Sequence, residues 1–195
     1  TTPADFSTLA YSMSQGRGKD RVKASANELR VNLTSWATIS LASSNASFYE
    51  KMTSLKTSPE GELMRLLEYK IQQVDAIPTD IAKDMFDHQL KENYGHAGDI
   101  YIKYLVANLE KVITLARQIQ AKLDKEMMLV QRERFWSVVI AANLAGGIIA
   151  SKLGLHNWDM GRIYKWTPHM LKDLRDEVTA PAGNASAIIG DYINR

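Results

Sequence analysis

Over its second half this chain repeats apolar residues at helical spacing in long stretches, which commits that half to helices packed on helices. From Asp99 to about Met128, the residues Ile102, Leu105, Leu109, Val112, Leu115, Ile119 and Leu123 recur three or four apart, with Lys, Glu, Arg and Gln between them. This is one face of an amphipathic helix, and the spacing predicts a single long one. Arg132 to Leu153 is apolar nearly all round, the pattern of a central helix. Asp159 to about Val178 predicts another, with Trp158 and Trp166 assigned to the core. Ala180-Pro181-Ala182-Gly183-Asn184 then reads as a joint before a last short helix. Upstream, Thr79 caps a helix to about Glu92, and Asn93-Tyr94-Gly95-His96-Ala97-Gly98 breaks it. The clearest boundary is Ala76-Ile77-Pro78-Thr79, so residues 78–195 read as an all-α helical domain and residues 1–77 as something else.

The first segment opens with a helix start: Thr2 as N-cap, Pro3 in the first helical position and Asp5 in the first turn, followed by Phe6, Leu9, Ala10 and Met13 at helical spacing. Gln15-Gly16 stops it. Arg17 to Lys23 holds four cations and one anion beside two glycines, Gly16 and Gly18. Trp36 to Ala42 is short, β-branched and apolar, and reads as a buried strand. Ser43-Ser44-Asn45 stands at its carboxyl end, and Ala46 to Leu55 reads as a short helix. In open parallel sheets ligands bind at such strand ends; Ser44 or Asn45 equally fits the N-cap of the next helix. Pro59 and Gly61 open a further helical turn through Leu67, and Glu68 to Val74 alternates weakly, as a strand does.

Composition excludes several chemistries. Zero cysteines removes disulfides, thiolate zinc sites and cysteine nucleophiles. The four histidines, His88, His96, His156 and His169, stand at no metal-ligand spacing. No G-x-S-x-G elbow announces a hydrolase. The longest apolar run, Val138 to Ala150, contains Asn143 and the Gly146-Gly147 pair, so no membrane span is expected. The N-terminus lacks a basic and apolar leader, so the expected location is cytoplasmic. A net charge of +2 is too small to announce a polyanion binder; only the local basic loop does so.

Arg65 lies in Gly61-Glu62-Leu63-Met64-Arg65-Leu66-Leu67, an apolar turn where a lone cation is costly unless it is paired or at an interface. Glu62 and Glu68 stand three residues away on either side and offer a simple ion pair. The alternative is a catalytic arginine, since a planar guanidinium neutralises charge that builds on a transferring phosphoryl group.

Leu9 to Arg21, then Ser43-Ser44-Asn45, then Gly61-Glu62-Leu63-Met64-Arg65, then Asn93 to Gly98, taken in this order, resemble the C-terminal half of a family of phage and prophage P-loop ATPases. That family is similar to superfamily 3 helicases and primase-helicases within the wider AAA+ group. The resemblance covers residues 3 to about 180 and implies a mainly α chain: a small α/β remnant of a P-loop ATPase core at 1–77, then a helical lid and C-terminal helical domain at 78–195. It implies that Asn45, with Ser44 beside it, matches the sensor near the γ-phosphate, and that Arg65 matches the trans-acting arginine finger. Arg17, Lys19, Arg21 and Lys23 match the DNA-contacting loop of the central pore, and either Arg134 or Arg162 matches a second sensor. ATP and Mg²⁺ are the cofactors implied for the parent protein, single-stranded DNA read without sequence preference its partner, and a homo-oligomeric ring in a bacterial host its setting. The family's phosphate cradle, G-x-x-x-x-G-K-[ST], and its acidic strand are missing from these 195 residues. This chain alone is therefore expected neither to bind nor to hydrolyse ATP.

Two rival readings stand beside this one. In the first the chain is a helical interaction module and the basic loop is plain surface. In the second Asn157 to Lys172 is the recognition helix of an all-α DNA-binding domain.

Overall fold

The computed structural model describes residues 3–17, 21–22, 29–30, 34–53, 60–71 and 77–179. These are mainly helical. In chain order they form α1 (Pro3–Gln15), the strands β1 (Arg21–Val22) and β2 (Leu29–Arg30), α2 (Phe48–Thr53), α3 (Glu60–Leu63), α4 (Thr79–Asp84), α5 (Leu90–Glu92), α6 (His96–Ala107), α7 (Leu109–Glu126), α8 (Arg134–Lys152) and α9 (Met160–Thr179). A π-helical turn, Met85–Gln89, joins α4 to α5, and a 3-10 turn, Gln131–Glu133, leads into α8. β1 and β2 pair antiparallel, Arg21 opposite Arg30 and Val22 opposite Leu29.

The described residues fall into two compact units. One draws on Thr1–Glu68, Gln131–Val139 and Leu171–Arg195; the other on Tyr69–Val130 and Ile140–Met170. In the first unit α1 lies against α2 and α3, and the core gathers Ala10, Tyr49, Met52, Leu63, Trp136 and Leu174. Gly16 ends α1 at φ +66°, where a Cβ would meet the Trp36 carbonyl oxygen at 2.6 Å, so this position needs glycine. Trp36 then serves the helix end twice. Its backbone N–H donates to the Gly16 carbonyl at 2.8 Å and its indole to the Met13 carbonyl at 3.1 Å, covering two carbonyls that the last turn leaves without helical partners. In the second unit Leu123, Ile140, Leu144, Ile149 and Met170 form the core. Across it the Tyr164 hydroxyl donates to the Glu126 carboxylate, while Lys122 lies 4.5 Å from the Tyr164 ring.

Several local expectations are corrected. The single helix expected from Asp99 to Met128 is two. Asn108 leaves helical geometry at φ −131° and ψ 27°, and its side-chain amide donates to the Tyr104 carbonyl at 3.1 Å. This is the local competition with the helix ladder that Asn offers. Trp36 to Ala42 is not a buried strand: it joins no ladder among the described residues, and Leu41 is 97% exposed. Apolar β-branched composition makes a strand only when a neighbour supplies the hydrogen bonds. Trp158 and Trp166 do not enter the core. Trp158 stacks on His156 at 4.6 Å and Trp166 meets Tyr69 edge-on at 5.8 Å, both largely exposed. The expected N-cap residue Thr2 and the joint at 180–184 lie outside the described residues.

Among the described residues, the helical stretch Gln131–Lys152 is long and apolar enough to cross a membrane by length and composition. It buries Trp136, Ile140, Ala141, Leu144, Ala145 and Ile149 and leaves Val138 and Ile148 exposed.

Candidate functional site

The first unit brings an arginine cluster together at the end of α3. Glu62, Leu63 and Met64 are buried there, and Arg65 emerges half-buried in the turn that follows. Its Nε donates to Ser14 Oγ at 2.9 Å, and its Nη1 donates to the Gly61 carbonyl. The Ser14 hydroxyl donates in turn to the Tyr11 carbonyl at 3.0 Å, which leaves its oxygen lone pairs to accept from Arg65. The guanidinium carbon lies 4.2 Å from the centre of the Tyr11 ring and 5.4 Å from that of Phe135. Neither neighbouring glutamate takes the ion pair that the sequence offers. The Glu68 carboxylate instead accepts the Phe48 N–H at 2.9 Å, at the start of α2.

Phe135 gathers a second arginine. Arg134, in the first turn of α8, places its guanidinium carbon 5.0 Å from the same ring. Arg65, Arg132 and Arg134 together line a concavity of about 270 Å³, with Gly61, Met64 and Phe135 completing it. The local sequence explains how two later arginines come to stand beside the concavity. Within Arg132-Glu133-Arg134, Glu133 turns inward, 3% exposed, and is held by Arg175 of α9 through Nε at 2.7 Å and Nη2 at 2.9 Å. Its two neighbours are exposed. The first turn of α8 carries no acidic residue of its own; the buried Glu133 stands just ahead of it.

The donor set suits phosphate oxygens: planar guanidinium groups, two of them beside one aromatic ring. It fits the phosphate portion of ATP. For Mg²⁺ the described residues gather no group of three histidine, aspartate or glutamate side chains.

The other expected site residues lie elsewhere. Arg17 is exposed and pairs its backbone with Ser35. Arg21 is in β1, and Lys19 and Lys23 lie outside the described residues. Ser44 Oγ accepts the Ala46 N–H at 3.3 Å, and Asn45 is exposed; neither lines the arginine concavity. The cap of α2 is Ser47, whose Oγ accepts the Glu50 N–H at 3.2 Å, and not Ser44 or Asn45. Arg162 is exposed in the first turn of α9, where its N–H meets Asp159 Oδ1 at 3.0 Å, and it belongs to the second unit. Of the two candidates for a second sensor, Arg134 is thus the one that shares a surface with Arg65.

Sequence reasoning passed over Arg132, Phe135, Tyr11 and Ser14. The signal for the first two was present: two arginines flank a glutamate at the mouth of an otherwise apolar helix. In comparisons with protein-family models, curated proteins and solved structures, nothing matches this chain.

Proposed function

We propose that this chain acts as the C-terminal portion of a phage-type AAA+, superfamily 3-like ring ATPase, a DNA helicase or primase-helicase, and supplies it with phosphate-facing arginines. The observation that carries this reading is the convergence of Arg65 and Arg134. The resemblance matches Arg65 to the trans-acting finger and offers Arg134, alongside Arg162, as a second sensor; Arg65 and Arg134 lie far apart in sequence, and both rest on Phe135 at the edge of one concavity. Catalysis there is charge neutralisation in a preorganised site. Arg17, Lys19, Arg21 and Lys23 contact the DNA backbone through phosphates, and Asn45 with Ser44 forms the sensor. The α/β remnant at 1–77 belongs to the same proposal, as the part of the ATPase core that carries Ser44, Asn45 and Arg65. ATP and Mg²⁺ are then held by the phosphate cradle of that larger assembly.

Mixing two inactive variants of the assembly tests the reading, one with Arg65→Ala here and one with its phosphate-cradle lysine replaced. Recovery of ATPase activity above either variant alone places Arg65 across a subunit interface. Full activity of the Arg65→Ala variant by itself overturns the assignment.

One observation favours a second reading, the helical interaction module. The stretch from α4 to α6 contains no buried residue, while Ile81, Phe86, Leu90, Ile100 and Val106 are exposed. An apolar surface of this kind is commonly covered by a partner. A solution mass corresponding to a monomer, together with an inert Arg65→Ala substitution, moves this reading to first place.

A further inference from the structure

We propose that Ser14 and Tyr11 of α1 are positioning residues for Arg65, holding its guanidinium ready for a phosphate chain before any ligand arrives. The inference rests on the reading of the arginine concavity as a phosphate site. A flexible arginine loses side-chain freedom when it engages a ligand, a loss worth up to about 2 kcal/mol of rotamer entropy on general scales. Arg65 has already given that freedom up. Ser14 Oγ takes its Nε–H, the Gly61 carbonyl takes an Nη1–H, and the Tyr11 ring covers one face at 4.2 Å. Among the described residues Nη2 has no hydrogen-bond partner, and the side chain that carries it lines the concavity. The fixed edges of the guanidinium therefore face protein, and the end left over is the one that a phosphate oxygen can take.

The chain of supports is specific. Ser14 accepts from Arg65 because its own proton is committed to the Tyr11 carbonyl at 3.0 Å, which fixes the direction of the hydroxyl. Tyr11 thus acts twice, through its carbonyl on Ser14 and through its ring on Arg65. Both residues lie in the helix that Gly16 and Trp36 terminate, so the end of α1 is anchored as well.

The test uses the full chain at low ionic strength, titrated with inorganic tripolyphosphate while NMR follows the arginine Nε–Hε signals. The wild-type chain should show saturable shifts for Arg65, Arg132 and Arg134, with the Arg65 Nε–H slow to exchange with solvent. Ser14→Ala should weaken tripolyphosphate binding about tenfold, the worth of one hydrogen bond to a charged group, and speed that exchange. Ser14→Thr, which keeps the hydroxyl, should restore both, and Tyr11→Phe, which keeps the ring and the carbonyl, should bind as wild type. Thermal melting of each variant separates loss of binding from loss of fold. If Ser14→Ala binds as wild type while Arg65→Ala does not bind, the positioning role is wrong and the phosphate site stands. If Arg65→Ala also binds as wild type, or the wild-type chain shows no saturable shift, the phosphate reading fails and this inference fails with it.

Discussion

Tyr49 and Trp136, from helices far apart in sequence, meet on one acceptor: the Leu66 carbonyl takes the phenol at 2.6 Å and the indole N–H at 2.5 Å. Both rings are buried, Trp136 completely. Burial is also the first cause that pushes the Tyr49 hydroxyl well above its ordinary range, with the Glu68 and Glu177 carboxylates adding to it. Leu66 follows Arg65 directly, so the two hydrogen bonds fasten the segment that presents the arginine. The apolar core of the first unit and the candidate site are thus joined through a single peptide group.

This arrangement predicts non-additive losses. Tyr49→Phe removes one hydrogen bond and leaves the other, and should cost about 1 kcal/mol. Trp136→Phe also opens space in a packed core and should cost about 3 kcal/mol. In the double variant the Leu66 carbonyl loses both donors at once, so the combined loss should exceed the sum of the single losses by about 1 kcal/mol. Urea denaturation of the four proteins gives the coupling directly. Strict additivity would mean that the two donors do not share the acceptor in solution.

The inward turn of Glu133 makes a second prediction. Its carboxylate is buried and takes two hydrogen bonds from Arg175, which also hold the Arg175 guanidinium protonated, its affinity for the proton raised above the ordinary value. Removing one partner leaves a buried charge short of donors. Arg175→Ala should therefore destabilise the protein by about 3 kcal/mol, whereas replacing both residues by apolar ones of similar size, Glu133→Leu with Arg175→Met, should cost less than the single change. Because Glu133 stands between Arg132 and Arg134, which line the concavity, Arg175→Ala should also weaken tripolyphosphate binding. Equal stability of Arg175→Ala and wild type in urea would remove the pair from the account.

The elements legible in the sequence are those whose apolar pattern is self-sufficient. Pro3 to Gln15, Arg134 to Lys152 and Met160 to Thr179 appear close to where their spacing places them, and the last two bury much of their apolar surface, Trp136, Ile140 and Leu144 in one and Met170, Leu171 and Leu174 in the other. The break at Asn108 was not legible. An Asn between two apolar stretches reads as surface, and only the bond from its side chain to the Tyr104 carbonyl shows it ending a helix. Trp36 to Ala42 failed for the opposite reason: its composition suits a strand, but strand formation depends on a neighbour that no local pattern encodes. At the site, Arg65 stood out as a lone cation in an apolar turn. Its partners did not, since Ser14 lies 51 residues away and a serine in a helix carries no mark of what it will hold.

The end of α9 carries an electrostatic cost that pH can switch. Glu177 faces three other acids of the first unit, Glu68, Asp173 and Glu50; burial raises its pKa first, and repulsion from those carboxylates adds to the shift. The folded state therefore holds the Glu177 proton more tightly than the unfolded chain does. With a raised folded pKa, the stabilising contribution is fully present below the unfolded value, near 4.5, and is lost as pH climbs through the folded one. At neutral pH the ionised carboxylate works against folding, so Glu177→Gln should raise the urea midpoint there. The side chain is largely exposed, which limits the gain to a few tenths of a kcal/mol, on the scale of exposed charge pairs. Added salt should shrink the difference by screening, and at pH 4 and below it should close as Glu177 and its neighbours take up protons. A midpoint unchanged at pH 7, or a gain that persists undiminished at pH 3.5, would show that the four carboxylates do not repel one another in the folded protein.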